Sequence, residues 1–395
     1  MSLLIQQLRV AHKDLRLAGK TQNAILHLPE KQLLYLLSVL RNEQPILPQI
    51  SIEEWQEFLS ALAPHAIQSF FYWQIKSLPQ ALQPPGEICD QLRRLYFTSL
   101  ARSLRLERQV AEIQQAFLAK DVQVLVLKGP ALGRLVYPNP ALRPSCDLDL
   151  LVKPRQFRLA REILIYSGYN ICEQNFENFA DFQIEERFVP DEQNNCPVEL
   201  HWDIHNLKTI QKHNGMEELF SRAIRVADFE MLHPVDALIH AAIHNTMVHN
   251  QDMTLRWILD FTFLAQYMSD PQDWLVLQQR SVDWRARLAV EHSLKMAQLW
   301  FGAKLPQEFS DFLTWPKPTT LEKQAWSDTI NRYESIFSML RVRGVSSLKT
   351  LLRFAFPPSK IMRGEFSCIH FWQLPQAYVR RWLRWLARRR RGRLL

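Results

Sequence analysis

Cysteine is scarce in this chain: five of its 395 residues are cysteines, and no two of them form a CxxC pair. An odd number without that spacing indicates neither a structural zinc site nor a framework of disulfides. Free thiols are typical of a reducing compartment. We therefore expect a cytoplasmic protein that is held together by its apolar core.

Long apolar runs are also missing. No stretch approaches the roughly 20 apolar residues that a membrane-spanning helix needs. The first residues are amphipathic, with charges interspersed, and they lack the hydrophobic segment of a signal peptide. We expect neither a transmembrane segment nor a secretion signal.

Acidic residues are absent from the C-terminal end. Residues 380–395 hold eight arginines, which equal the whole formal charge of +8, so the remainder of the chain sums to zero. A neutral body argues against a broad nucleic-acid-binding surface there. Within the tail, Arg380–Arg393, the arginines are interleaved with Trp382, Leu383, Trp385 and Leu386. Three interpretations stay open: a helix packed by its apolar side, contact with an anionic membrane, or contact with RNA.

A zinc-protease motif lacks its glutamate. His240 and His244 lie four residues apart in the segment HAAIH, on one face of a predicted helix that begins at Pro234. A zinc site of this kind needs HExxH. We interpret the two histidines as residues that line a cleft or form core hydrogen bonds, and as candidates for a supporting position beside a site.

Three acids on two strand-like segments carry the chemistry. Residues 122–153 read VQVLVLKGPALGRLVYPNPALRPSCDLDLLVK, and residues 197–204 read PVELHWDI. Alternation in a strand places Asp147 and Asp149 on one face of the first segment. Glu199 shares a face with other polar residues of the second segment. If the two strands are neighbours, the carboxylates converge and repel, and some stay protonated. A divalent cation such as Mg²⁺ removes this conflict, and two such ions can clamp a phosphoryl displacement.

A glycine turn precedes these acids. A strand that ends in Gly129 lets the backbone approach a phosphate closely. Lys128 and Arg143 are nearby cations for a triphosphate. Pro130 has no amide to donate, so one backbone contact to phosphate is missing. The set therefore predicts a metal and phosphate site, whereas solvated or ion-paired loop carboxylates are the plainer alternative.

In this order, the residues resemble the DNA polymerase β-type nucleotidyltransferase superfamily, and more closely the bacterial group called nucleotidyltransferase family proteins. That group shares an LKG, Tyr-Pro, Arg and DxDLLV block and then an ELHW strand. The matching residues are Leu127-Lys128-Gly129, Tyr137-Pro138, Arg143, Asp147, Asp149 and Glu199-Leu200-His201-Trp202. The superfamily usually has Gly-Ser or Gly-Gly where this chain has Gly129-Pro130.

The resemblance implies an enzyme that moves a nucleoside monophosphate from an NTP to a hydroxyl-type acceptor, with Mg²⁺ or Mn²⁺. Asp147 and Asp149 would hold the metals, and Glu199 would complete the catalytic metal site. His201 is a candidate for a supporting position. The acceptor stays open among a small molecule, a glycan precursor, a peptide and a protein. The alternative is a non-catalytic nucleotide-binding or regulatory module that keeps the fold, and Pro130 favours it.

Periodicity and breakers predict an α+β fold in three regions. Residues 1–120 form an N-terminal helical region, 121–210 the nucleotidyltransferase core with a small mixed sheet, and 216–395 a C-terminal helical region that ends in the arginine-rich helix. Strands are expected at 122–128, 147–153, 169–173, 182–189 and 197–204. Later helices are expected at 234–250, 255–268, 281–303 and 319–342.

Overall fold

The computed structural model describes residues 27–172, 184–192, 195–204, 215–248, 254–323 and 371–391, together with single residues at positions 6, 25, 326, 356, 359 and 362. Its fold is α+β, as predicted, with helices before and after a mixed sheet. Most of the helix that we expect at 319–342 lies outside the described residues.

From residue 27 onward, four α-helices precede the sheet in the described chain. They are α1 (Glu30–Leu40), α2 (Ile52–Leu62), α3 (Gln68–Ile75) and α4 (Gly86–Leu118). A capping box begins α2, because Ser51 accepts from the Glu54 amide and the Glu54 side chain accepts from the Ser51 amide. Helix α4 runs beside the sheet, and its Ser99 hydroxyl donates to the Ala141 carbonyl at 2.6 Å. The long helix thus supports the loop that leads to the predicted acids.

Seven strands of the described chain form one sheet. They are β1 (Val124–Val126), β2 (Leu148–Val152), β3 (Tyr169–Ile171), β4 (Glu185–Pro190), β5 (Val198–His201), β6 (Ile224–Val226) and β7 (Phe229–Met231). Their order is β3-β4-β5-β2-β1-β7-β6. Strands β2 and β5 are parallel neighbours, while β4 pairs with β5 and β1 pairs with β2 in antiparallel fashion. The neighbourhood of β2 and β5, on which the predicted site depends, is therefore present.

The strands are shorter than their sequence patterns suggest. β2 begins at Leu148, so Asp147 lies one residue before it. β5 ends at His201, which leaves Asp203 outside the strand. Leu148, Leu150 and their β5 neighbours are fully buried on the face away from the acids. This apolar face fixes which side the acids occupy, because a slip of one residue would reverse every side chain.

Further helices of the described chain lie between the strands and after them. The three between strands are α5 (Pro130–Leu135), α6 (Phe157–Tyr166) and α7 (Met216–Ser221), and the later ones are α8 (Pro234–Ile243), α9 (Leu255–Tyr267), α10 (Pro271–Asp283), α11 (Arg287–Phe301), α12 (Gln307–Ser310) and α13 (Leu374–Arg391). The single helix that we expected at 281–303 is wrong at its start. The chain turns at Arg285, whose φ is +56°, and the turn buries Trp284 between α10 and α11.

One hydrophobic cluster of buried residues extends from Ile25 to Trp315 and includes both helical regions and the sheet. Strands β6 and β7, from beyond residue 210, extend the sheet next to β1. The division into three regions stays a prediction. Across the residues described here, no helix combines the length and apolar character needed to cross a bilayer.

Candidate active site

The acids of β2 and β5 meet as register partners. Asp149 lies opposite Glu199 across the parallel pair, and Leu151 lies opposite His201. One ligand atom from each of Asp149, Glu199 and His201 lies within 4.8 Å of the others, and this is a possible metal-binding group within the described part of the chain. Asp149 is 1% exposed and His201 is 6% exposed. The two strands therefore bring together three potential metal ligands, of which Asp149 and His201 are buried and Glu199 is half-buried.

Strand β4 adds two charged residues that the motifs did not indicate. Glu185 is the register partner of His201, and Arg187 is the register partner of Glu199. Glu185 Oε2 lies 3.1 Å from His201 Nδ1, and Arg187 Nη1 lies 3.9 Å from Glu199 Oε1. Alternation within EERFVP places both residues on one face, but the pairing of β4 with β5 is long-range. The sequence alone therefore gave no reason to join them to the site.

Lys128 faces Asp149 from the end of β1. Its Nζ lies 3.1 Å from Asp149 Oδ1 and 2.9 Å from His244 Nε2. His244 comes from the π-helical turn His244–Val248 that follows α8. His240 is buried one turn earlier, with its ring centroid 6.1 Å from that of His244. His244 thus borders the site through Lys128, and the described residues around the two histidines form no separate metal-binding group.

Asp149 is held as a carboxylate. Burial alone would raise its pKa, but the charge of Lys128 and the His201 imidazole, whose Nε2 lies 3.4 Å from Asp149 Oδ1, outweigh burial and hold the pKa well below its usual range. The pKa of His201 is raised above its ordinary value: burial lowers it, and the neighbouring carboxylates of Asp149 and Glu185 more than offset burial. Charge repulsion between the acids is therefore largely compensated at Asp149.

Repulsion among the acids acts mainly on Glu199. Burial, followed by the negative charges of Asp149 and Glu185, raises the pKa of Glu199 to about 7. The expectation that some of the converging acids stay protonated in the absence of a cation applies to this residue. Near neutral pH, the Glu199 carboxyl is therefore poised between holding and releasing a proton.

We expect the raised pKa of Glu199 to make the free energy of unfolding depend on pH. An unfolded glutamate has a pKa of about 4.3, so the folded protein binds one proton more than the unfolded chain from that pH up to about 7. The metal-free protein should therefore lose stability as pH rises through this window. Discounted for partial solvent exposure, the loss is about 2 kcal/mol. Urea unfolding in EDTA at several pH values measures it.

The control for this prediction is a comparison of two substitutions. Glu199→Gln should flatten the decline, since no proton is exchanged there, whereas Glu57→Gln on the exposed face of α2 should leave it unchanged. The contribution of His201 is present in all three proteins. Parallel stability profiles for the wild type and Glu199→Gln would show that Glu199 does not carry the proton.

Asp147 lies at the rim of this site. It is partly exposed and precedes β2, and it is not a member of the three-residue group. Its negative charge still contributes to the raised pKa of Glu199. The role of Asp147 as a metal ligand stays a prediction.

Gly129 forms the turn between β1 and α5. Its φ of +67° and ψ of −127° belong to a region that side-chain-bearing residues rarely adopt. A Cβ at this position would lie 3.5 Å from Ser145 Oγ and 3.7 Å from the Asp147 carbonyl oxygen. Pro130 occupies the first position of α5. The turn thus lies against the segment that leads into β2.

Arg143 contacts this turn through the Gly129 carbonyl. Its Nε and Nη2 donate to the two carboxylate oxygens of Asp260, each at 2.8 Å, and its Nη1 donates to the Gly129 carbonyl at 3.1 Å. The residue is 4% exposed. Direct contact of Arg143 with a phosphate stays a prediction that this burial does not favour. The apolar neighbours of Asp260 in the sequence suggest a charged partner such as His244 or Arg256, whereas the structure pairs Asp260 with Arg143.

Asp149 also provides a test of whether a cation fits here. Its Oδ2 is buried and has no hydrogen-bond partner among the described residues. An unpaired buried carboxylate oxygen is costly, and a cation would satisfy it. Carboxylate and imidazole donors together suit a divalent metal such as Mn²⁺. The residues present therefore fit a bound metal ion.

Comparison with known proteins identifies a family for this chain. A search of curated proteins finds no match to the chain. The model of a family described as uncharacterised nucleotidyltransferase matches residues 51–302. This span runs from α2 to the end of α11 and includes every candidate site residue. Because it covers well over half of the sequence, the chain belongs to the uncharacterised nucleotidyltransferase family.

Proposed function

We propose that this protein is a metal-dependent nucleotidyltransferase, which moves a nucleoside monophosphate from an NTP to a hydroxyl-type acceptor and releases pyrophosphate. The observation that carries the proposal is the pairing of buried Asp149 with half-buried Glu199 across two parallel strands, next to His201. Family membership supports the general reaction class. The acceptor is a small molecule, a glycan precursor, a peptide or a protein.

Asp149, Glu199 and His201 would hold the cation, with Asp147 at the rim as a further ligand. A bound Mg²⁺ or Mn²⁺ would stabilise negative charge on the phosphates during the displacement. The imidazole of His201 favours Mn²⁺ over Mg²⁺, since Mg²⁺ prefers oxygen ligands. His201 was predicted in a supporting position, and we now propose it as a ligand.

Lys128 and the Gly129 turn would bind and orient the triphosphate. Lys128, between Asp149 and His244, is placed to contact the triphosphate, and the Gly129 turn lets backbone approach it. The acceptor oxygen attacks the α-phosphorus, the bond to the β-phosphate oxygen breaks, and pyrophosphate leaves. Glu199 would complete the metal site, so that the acceptor hydroxyl is deprotonated with the help of the cation and its proton passes to water.

The alternative proposal is a non-catalytic nucleotide-binding or regulatory module. Two observations favour it: Pro130 offers no amide at the turn, and Lys128 pairs with Asp149 at 3.1 Å. A binding module would retain nucleotide without turnover. Pyrophosphate release in the presence of cell extract, or self-modification by labelled NTP, separates the two proposals.

Ligand binding gives the first test. In a thermal-shift screen over the four NTPs, we expect at least one NTP with Mn²⁺ to raise the melting temperature by about 3 °C, and less with Mg²⁺. Metal alone and NTP alone should each have a smaller effect. His201→Asn should reduce the preference for Mn²⁺. Absence of stabilisation of the wild type by every NTP–metal pair would rule out nucleotide binding.

The arginine tail is a separate candidate contact with an anionic membrane or RNA. Helix α13 buries Leu374 and Ala377 against Met362, while Val379 and Leu383 are more than half exposed. If Arg380–Arg393 is an electrostatic anchor, a chain shortened to end at Val379 should bind anionic vesicles or RNA about tenfold more weakly at low salt. The salt dependence should also disappear. Equal binding by both proteins would leave the packed-helix interpretation.

A further inference from the structure

Asp260 is a buried acid in the middle of α9, 2% exposed, and it lies 117 residues after Arg143 in the chain. We propose that Asp260 is a positioning residue for the nucleotide site: through Arg143 it fixes the Gly129 turn against the segment that leads into β2. This inference rests on the proposed function and assigns that site a residue from the C-terminal helical region.

The first link is the ion pair itself. Asp260 accepts two hydrogen bonds from Arg143, one on each oxygen and both at 2.8 Å, which holds the guanidinium plane in one orientation. The Tyr137 hydroxyl donates to Asp260 Oδ1 at 2.6 Å. The Tyr137 ring also packs on Phe263, one turn later on α9, with centroids 4.6 Å apart. The carboxylate is thus fully engaged and its position is fixed.

The second link runs from Arg143 to the turn. Arg143 Nη1 donates to the Gly129 carbonyl at 3.1 Å and to Ser145 Oγ at 3.0 Å. Arg256, one turn before Asp260 on α9, donates to the Pro144 carbonyl. Helix α9 therefore holds both sides of the turn. Because residues 143–145 lead directly to the acids of β2, this network sets their distance from Gly129.

A purely structural ion pair serves as the comparison. Asp236 in α8 is also fully buried and also pairs with arginine, accepting from Arg280 Nε at 2.5 Å and from Arg222 Nε at 3.1 Å. These arginines donate to no residue of the candidate site in the described chain. Loss of the Asp260 carboxylate leaves buried Arg143 without its acidic partner, and loss of the Asp236 carboxylate leaves Arg280 with Glu218 alone. Both substitutions should therefore destabilise the fold. Only one of them should disturb the turn.

The experiment compares Asp260→Asn with Asp236→Asn in the full chain. The probe is an NTP with a methylene group between the α- and β-phosphates, given with Mn²⁺ and carrying the base that the wild type binds best. Calorimetric titration is done well below the melting temperature of each protein. We expect Asp260→Asn to weaken binding at least tenfold and Asp236→Asn to change it less than twofold, although both melt at lower temperature.

A milder variant keeps the positioning role testable if Asp260→Asn does not fold. Tyr137→Phe removes only the hydroxyl that orients Asp260, and we expect about threefold weaker binding with nearly wild-type melting. Wild-type affinity in Asp260→Asn or, where that protein does not fold, in Tyr137→Phe overturns the positioning role, as does an equal loss in Asp260→Asn and Asp236→Asn. If the wild type itself binds no probe, the proposed function fails and the inference fails with it.

Discussion

Replacing Asp149 with asparagine should abolish pyrophosphate release. The substitution keeps the shape of the side chain and removes the charge that would hold a cation between β2 and β5. Metal stabilisation of a phosphoryl displacement is worth several kcal/mol, so we expect a loss of about 10³-fold or more. The measurement is pyrophosphate release with the true acceptor, or self-modification by labelled NTP. Full turnover by Asp149→Asn would remove this mechanism.

Loss of Asp149 and loss of Glu199 should have different effects on the stability of the metal-free protein. From repulsion alone, loss of any acid should leave the metal-free fold as stable or slightly more stable. The structure changes this expectation for Asp149, since Lys128 and His201 hold its pKa well below the usual range. We expect Asp149→Asn to cost about 2 kcal/mol without metal, because Lys128 loses its buried partner. Glu199→Gln should cost nothing at neutral pH, where its raised pKa makes the charged form unfavourable.

Turnover should separate the acids less clearly than stability does. Glu199→Gln should lose turnover while keeping part of the NTP affinity, since Asp149 remains to bind the metal–nucleotide complex. Asp147→Asn should lose turnover as well if this rim residue is a metal ligand. Unfolding of all three variants would instead identify the acids as a structural cluster.

Gly129→Ala should reduce both stability and nucleotide affinity. The positive φ of +67° puts any L side chain in a strained conformation, which costs about 2 kcal/mol. The added Cβ itself would meet nothing closer than 3.5 Å, so conformation rather than collision causes the strain. Relief of strain would move the turn away from Lys128 and the acids. We expect at least tenfold weaker binding of NTP with Mn²⁺ by calorimetric titration.

Gly168→Ala is the matched control for this substitution. Gly168 follows α6 with a φ of +84°, and a Cβ there would meet only Asp191 Oδ2, at 3.7 Å. Its loss of stability should be similar, and nucleotide affinity should stay within about twofold of the wild type. Equal losses of affinity in both variants would mean that global strain, rather than the geometry of the turn, weakens binding.

Much of the fold could be predicted because its signals are local. Alternation of apolar residues indicates β2 and β5, the 3.6-residue period indicates α4 and α9, and a proline begins α8. Boundaries were less certain. The chain turns at Arg285, and Trp284 beside the turn is buried. No local sequence pattern predicts this turn, because the burial of Trp284 depends on tertiary packing.

The candidate site divides in the same way. The sequence by itself gives the residue types and spacing of Asp147, Asp149 and Glu199. It also shows that Pro130 lacks a backbone amide at the turn. Alternation alone places each acid on a face of its own strand. Which strands are neighbours is a long-range choice made by packing of their opposite, apolar faces. That choice brings Glu185 and Arg187 of β4 next to β5.

The tertiary structure alone decided the electrostatics. Three converging acids read from the sequence suggest repulsion at every one of them. In the folded chain, Lys128 compensates Asp149, so the repulsion falls on Glu199. Arg143, predicted to bind phosphate, is turned toward Asp260, which lies 117 residues later. A sequence determines which charges exist and their local direction, whereas Coulomb interactions depend on distances that only the packed chain sets.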